Sequence, residues 1–359
     1  MADVGVVGQH KRRHSKSAHR VKFNLITQSK LAGPFTDHFP HYAGGVARSE
    51  PGGFVISQEF GHHAHEFFYF QPRKDDVWML TFPKCGTTWT QELVWMVANN
   101  CNVEVARRNP LFIRSPYLEA SRIASLQSAP PEVHVMVPKV NVIERIPSPR
   151  VIKSHLPFSL LHPQLLDISK VIYVVRHPKD VIVSYFHHHK LFNRHGFLGD
   201  VELFAQYFMN DEGTKTKLIT KTQLLFYLHL TVYYSPYFPH VLDAWSKRNH
   251  PNMLFLLYED LRKDLREGVI QIAKFLKKQL TEKQLADVCQ HLDLETFANN
   301  ECINYEKMAK SIGLLEKPDQ RSLHCNKPEH LENVFSPEMN RRIEEWIDKN
   351  LEGTDFHFA

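Results

Sequence analysis

Along the chain, short runs of consecutive apolar residues alternate with stretches in which apolar side chains recur every three or four positions. Val77–Phe82, Val151–Lys153, Val171–Val175 and Met253–Tyr258 are short, near-continuous and rich in β-branched or large apolar residues, a pattern that predicts strands buried on both faces. Between them, Thr88–Ala98 places Trp89, Leu93, Met96 and Val97 on one stripe. Lys263–Lys278 does the same with Leu265, Val269, Ile272, Ala273 and Leu276, and both stretches predict amphipathic helices. Strands alternating with helices predict an α/β fold, a single domain with a central parallel sheet flanked by helices. In such sheets ligands bind beyond the carboxyl ends of the strands, so the residues after each apolar run are the first to inspect.

Two stretches depart from this alternation. Residues 1–45 mix Lys, Arg, His, Ser and Gly with little periodicity and are expected to form a disordered basic arm, leaving 46–359 as the folded domain. Residues 212–229 carry an apolar run, Leu224–Leu228, which is a solubility hazard unless it is covered.

Charge sharpens the picture. The 359 residues carry 44 Lys plus Arg against 39 Asp plus Glu, a net of +5, but seven of those cations and only one acid fall within the first thirty residues. The remaining chain holds 37 basic and 38 acidic residues and lacks the overall basicity of a nucleic-acid-binding domain. No apolar run approaches the ~20 residues needed to span a bilayer, and no apolar segment follows the basic N-terminus to make a secretory signal. Five cysteines without CxxC spacing argue against a disulfide framework or a zinc site and point to a reduced, cytoplasmic setting.

The chemistry concentrates where the first three runs end. Val77–Phe82 leads into Pro83-Lys84-Cys85-Gly86-Thr87-Thr88-Trp89, a small strand–loop–helix junction whose free N–H groups and hydroxyls suit an anion, with Lys84 adding a formal charge. It is not the loop of nucleotide triphosphatases, because the Lys precedes the Gly and the second Gly is missing; a nucleotide kinase is thereby excluded. Val151–Lys153 continues as Ser154-His155-Leu156-Pro157, and in an extended segment Lys153 and His155 point to the same side. A cation beside an imidazole suits a general base at an anionic reaction centre, although a lone His more often satisfies local hydrogen bonds. Val171–Val175 ends at Arg176, whose fork can grip a phosphate, with Asp180 and Ser184 following at four-residue intervals.

Together these junctions resemble the cytosolic sulfotransferase family from about Phe82 to the C-terminus. The family's phosphosulfate loop Pro-Lys-x-Gly-Thr-Thr-Trp is matched at Pro83–Trp89, its Lys-[Thr/Ser]-His-Leu-Pro segment at Lys153–Pro157, and its Arg-x-x-x-Asp-x-x-x-Ser element at Arg176, Asp180 and Ser184. Ser336–Asn340 and Ile343–Ile347 look particularly like insect members. The resemblance implies a P-loop-kinase-like fold and transfer of a sulfuryl group from 3′-phosphoadenosine-5′-phosphosulfate (PAPS), without metal, to a hydroxyl of a small lipophilic acceptor such as a phenol, a steroid-like alcohol or a retinoid. It further implies His155 as base, with Lys84, Lys153 and Ser184 in the catalytic set. Lys84, Cys85, Gly86, Thr87, Thr88, Trp89, Arg176, Ser184 and Tyr234 would contact the cofactor, Trp89 and Tyr234 at the adenine. Elimination through a sulfate ester, as in some insect relatives, stays open. His62, His63 and His65 are expected on a solvated loop rather than a metal, and His187–His189 on a helix as pocket wall or surface.

Family members usually join the stretches that flank residues 212–229 more directly, so the resemblance implies an insertion there: a lid, a partner-binding loop, or a splicing or gene-model artefact. One family segment is degenerate. Arg-Lys-Gly-x-x-Gly-x-Trp-Lys, which clamps the cofactor's 3′-phosphate, aligns with His324–Glu332, where the Arg, the Lys and both Gly are absent. Losing two charge-assisted contacts costs roughly 1.5–3 kcal/mol each, which leaves a second reading: a sulfotransferase-like protein that binds a lipophilic ligand with little catalysis. The family's dimerisation pattern is absent from the aligned Glu332–Arg341, and oligomeric state stays undecided.

Overall fold

The computed structural model describes residues 22–26, 37–40, 46–50, 52–122, 137–191, 196–209, 232–303 and 334–358. Residues 212–229 and 324–332, the expected insertion and the expected degenerate segment, lie outside them. Four strands, β4 (Val77–Thr81), β5 (Val151–Ser154), β6 (Lys170–Val175) and β7 (Met253–Leu257), form one parallel sheet in the order β5-β4-β6-β7. The predicted runs find these strands to within a residue at each end.

Their near-continuous apolarity follows from burial on both faces. Trp78 and Leu80 of β4, with Val171, Tyr173 and Val175 of β6, enter one core; Val77 and Met79, with Ile172 and Val174, enter the other. The principal helices in chain order are α1 (Gln58–Phe68), α2 (Thr87–Ala98), α3 (Pro178–Leu191), α4 (Val201–Met209), α5 (Tyr237–Ser246), α6 (Leu265–Leu276), α7 (Glu282–His291) and α8 (Pro337–Leu351). Asp264 caps α6 by accepting from the Glu267 N–H, so the second predicted helix starts two residues later than its periodicity suggests. Side chains of α6 and α7 pack with α2 on one face of the sheet, whereas α3, α4, α5 and α8 contribute to the core on the other.

Chain order and strand order together locate a crevice. From β4 the chain goes to β5 on one side; from β6 it goes to β7 on the other. The loops leaving β4 and β6 therefore diverge, and the gap between their carboxyl ends is the switch point where open α/β sheets take ligands.

A second, three-stranded antiparallel sheet of β1 (Lys22–Ile26), β2 (Val46–Glu50) and β3 (Val55–Ser57) revises the expected arm. Five residues of that basic stretch pair across Lys22–Glu50 to Ile26–Val46, and Phe39 from the same stretch is 1% exposed. The histidine cluster is also corrected: His62, His63 and His65 lie within α1, where Ser57 caps the helix and Phe60 and Phe67 bury its inner face. Glu59 and Glu66 flank His63 at 3.2 and 3.1 Å. Among the described residues no group of three or more His, Cys, Asp or Glu is arranged to hold a metal, and no helix is long and apolar enough to cross a membrane.

Candidate active site

The loop after β4 is built around two left-handed residues. Lys84 has φ 69° and Gly86 has φ 76°, and the turn between them swings the chain from the strand into α2. Gly86 is required twice over, since a Cβ there would also lie 2.2 Å from the ring of Tyr258. As N-cap it offers no side chain, so the first-turn N–H groups of α2 have no side-chain partner. Cys85 is fully buried, and burial pushes its thiol pKa well up, so it is a wall of the loop rather than a nucleophile. The Thr87 hydroxyl turns inward, 2.8 Å from that of Thr81.

Arg176, at the end of β6, reaches across the crevice: one terminal nitrogen donates to the Lys84 carbonyl at 3.4 Å, the other to Asp180 at 3.3 Å. Its Nε is buried and unpartnered, an orphaned donor beside an anion-shaped loop. Ser184 sits one turn beyond Asp180 on α3, half-buried. The Arg176 guanidinium also lies 4.9 Å from the Tyr258 ring centroid, and that ring meets Trp89 edge-on at 6.0 Å. The Trp89 N–H donates to the Leu292 carbonyl at 2.8 Å, tying α2 to the end of α7.

At the end of β5, His155 is almost enclosed. Its ring is edge-on to Tyr117 at 5.3 Å and to Tyr234 at 5.6 Å, and those two phenols are hydrogen-bonded at 2.6 Å. Nδ1 lies 2.9 Å from the Thr81 carbonyl; a carbonyl can only accept, so Nδ1 carries the proton and Nε2 keeps the lone pair. Burial first, then Lys153, the neighbouring His240 and Lys84 hold the imidazole pKa well below its ordinary value, so the ring is neutral at physiological pH. Lys153 stands over the Tyr117 ring with its ammonium 4.2 Å from the centroid.

Three cations thus face one crevice. Burial and the charges of Arg176 and Lys153 lower the Lys84 pKa to about 8, and burial lowers that of Lys153 to about 8 against the pull of Glu119. Like charges held together at this cost, with an orphaned Arg176 Nε and free helix N–H groups, fit a multiply charged anion. A nucleotide phosphosulfate meets that description, and Trp89 and Tyr258 offer aromatic surface beside it.

Of the residues expected on the cofactor, Lys84, Cys85, Gly86, Thr87, Thr88, Trp89, Arg176 and Ser184 all lie around the loop or on α3. Tyr234 stands with Tyr117 against His155. The aromatic residue beside Trp89 is Tyr258, immediately after β7, which no motif marks. Glu119 was also missed. It is fully buried and accepts from the His155 N–H at 2.7 Å and the Ser154 hydroxyl at 2.8 Å. Neither residue belongs to a motif, and each is delivered by tertiary contact alone. Of the His187–His189 run, on α3 as expected, His187 is exposed and His189 fully buried.

Comparison with known proteins places this geometry. The family model "Sulfotransferase domain" matches residues 74–355. The luciferin sulfotransferase of Photinus pyralis is 31% identical over 299 residues, covering 80% of this chain and 74% of its own. Sulfotransferase 1B1 of Canis lupus familiaris is 28% identical over 307 residues, covering 85% and 93%. Among solved structures, retinol dehydratase in complex with retinol and PAP aligns with a TM-score of 0.80 at 29% identity, over 94% of this chain and 99% of that one. The same protein with androsterone and PAP gives a TM-score of 0.80 at 28% identity, over 94% and 98%.

Proposed function

The chain belongs to the sulfotransferase family, and from that premise we propose that it transfers a sulfuryl group from PAPS to the hydroxyl of a small lipophilic acceptor, with His155 as general base. The observation that carries this reading is the meeting of a neutral imidazole, its tautomer set by Thr81, with Lys84, Lys153 and Arg176 at one switch point. PAP in the neighbouring structures supports the donor, and retinol and androsterone support a lipophilic acceptor.

In the proposed step, Nε2 of His155 takes the acceptor's hydroxyl proton as the acceptor oxygen bonds to sulfur. The bond from sulfur to the donor's phosphate oxygen breaks, and 3′,5′-adenosine bisphosphate leaves with that electron pair. Lys84 and Lys153 offset charge on the bridging and transferring oxygens, where cations in a water-poor site act most strongly. Arg176, with Ser184, holds the 3′-phosphate; the loop N–H groups with Thr87 and Thr88 hold the 5′-phosphate; Trp89 and Tyr258 flank the base. Tyr117 and Tyr234 line the acceptor side.

Incubation with PAPS and retinol, androsterone or 2-naphthol, read by mass spectrometry, tests the reaction. The expected product is the acceptor plus one sulfuryl group. A second reading is favoured by the likeness to retinol dehydratase: the sulfate ester is a good leaving group, and its elimination yields an alkene and free sulfate. The mass of the retinol product separates the two. The non-catalytic reading, a protein that holds a lipophilic ligand, predicts no measurable affinity for 3′,5′-adenosine bisphosphate.

A further inference from the structure

Residues 116–118 run beside β5 at the sheet edge. The Lys153 N–H donates to the Pro116 carbonyl and the Leu118 N–H to the Lys153 carbonyl, each at 2.9 Å, with Tyr117 and Lys153 as bridge partners. This pairing delivers Glu119 to the far side of the Lys153–His155 segment, where its carboxylate is 0% exposed. Both oxygens are used: one accepts the His155 N–H at 2.7 Å, the other the Ser154 hydroxyl at 2.8 Å.

Burying a carboxylate is costly, and hydrogen bonding alone does not require one here. A neutral glutamine could accept from one of these donors and give its own N–H to the Ser154 oxygen. What an amide cannot supply is charge. The groups that feel Glu119 are Lys153, whose cation it favours against burial, and Tyr117 and Tyr234, whose phenols are held neutral by burial first and by its charge second. Arg122, the nearest cation in sequence, is taken up by Glu59 and Glu66 at 3.3 and 2.6 Å.

We propose that Glu119 is a positioning residue of the sulfuryl-transfer site: its carboxylate clamps the peptide and hydroxyl that orient His155, and its charge keeps Lys153 cationic beside a neutral imidazole. The inference rests on the activity proposed above. Burial raises the Glu119 pKa to about 7, against the Ser154 and His155 hydrogen bonds that favour its ionised form. The ionised clamp is then present above about pH 7 and lost below it, so turnover carries an acid limb near pH 7. His155 cannot supply that limb, because its own pKa lies well below the ordinary imidazole value.

The test is the pH profile of kcat for wild type, Glu119→Gln and Ser154→Ala, with PAPS as donor and androsterone as acceptor, whose alcohol does not titrate in this range. Titration of the donor's phosphates is common to all three proteins. In Glu119→Gln, kcat is expected to fall about tenfold at pH 7.5, as for loss of one charged hydrogen bond. Its acid limb disappears, and its alkaline limb moves to lower pH as Lys153 loses its counter-charge. Ser154→Ala removes one donor to the carboxylate and moves the acid limb to higher pH. Far-ultraviolet circular dichroism and cooperative thermal unfolding matching wild type show that each variant is folded. If Glu119→Gln does not fold, the Ser154→Ala profile decides. Wild-type turnover with both limbs unmoved in every folded variant overturns the role of Glu119 alone; no wild-type turnover at any pH overturns it together with the activity.

Discussion

His155 and Thr81 meet twice: the imidazole Nδ1 lies 2.9 Å from the Thr81 carbonyl oxygen and 3.0 Å from its hydroxyl oxygen. With its proton given to the carbonyl, Nδ1 has no lone pair to offer, so the Thr81 hydroxyl proton is free to point to Thr87 at 2.8 Å. One residue thereby sets the tautomer of His155 and ties it to the first residue of α2. The end of β5 and the loop after β4 are held as one unit. The His155 carbonyl accepts from His240 Nε2 at 3.0 Å, which fixes the segment from the other side.

Gly86 is the tightest point of the loop. Gly86→Ala forces a side chain into a left-handed residue and against the Tyr258 ring, 2.2 Å away. Affinity for 3′,5′-adenosine bisphosphate is expected to fall about tenfold or more, since the left-handed conformation alone costs roughly 1–2 kcal/mol. Calorimetric titration of the variant checks this.

Arg176 has its Nε buried and unpartnered and two long hydrogen bonds to the loop and to Asp180. Arg176→Gln is expected to weaken 3′,5′-adenosine bisphosphate binding by about 1.5–3 kcal/mol, the range for a hydrogen bond to a charged group. Adenosine 5′-phosphate, which lacks the 3′-phosphate, should bind wild type and variant alike; an equal loss for both nucleotides would place the 3′-phosphate elsewhere.

Binding of the bisphosphate should depend on pH with a definite sign. Lys84 and Lys153 carry pKa values lowered to about 8, so both are cationic below that pH and lose their charge as pH rises through it. Anion affinity is therefore nearly full at pH 7 and weaker by pH 9, about tenfold for each lysine the phosphates need as a cation, by linkage between protonation and binding. A dissociation constant that stays flat from pH 7 to 9 excludes these lysines as anion ligands.

We propose that His324–Asn326 stands where the family carries Arg-Lys-Gly. Replacing the three residues by Arg, Lys and Gly is expected to raise 3′,5′-adenosine bisphosphate affinity at least tenfold, a fraction of what two charged contacts can supply. An unchanged affinity means that the segment does not align there.

The sequence made some of this site legible and hid the rest for physical reasons. Burial on both faces wrote β4, β6 and β7 as plain apolar runs, and the rule that ligands sit at strand ends led directly to Lys84, His155 and Arg176. Tyr258 and Glu119 escaped because their roles are set by distant partners: Tyr258 by packing against Gly86 and Trp89, Glu119 by the edge pairing of 116–118 with β5. The hydrogen bond between Tyr117 and Tyr234, 117 residues apart, is likewise invisible to any local pattern. The strand Lys22–Ile26 was masked by the surrounding cations, although Lys-Phe-Asn-Leu-Ile contains the start of an alternation. The helix through His62–His65 carried an overlooked signal, Ser57 as N-cap followed by apolar Phe60, Ala64 and Phe67 at helical spacing.

The central claim is that His155 moves the proton, and its most direct test pairs two readings on His155→Ala. Turnover of PAPS with androsterone, followed by mass spectrometry, is expected to fall by about 10²–10⁴-fold, the usual contribution of a general base. Calorimetric affinity for 3′,5′-adenosine bisphosphate is expected to stay within about threefold, because the phosphate contacts are made by the loop and Arg176. Turnover close to that of wild type, with nucleotide binding intact, contradicts the account.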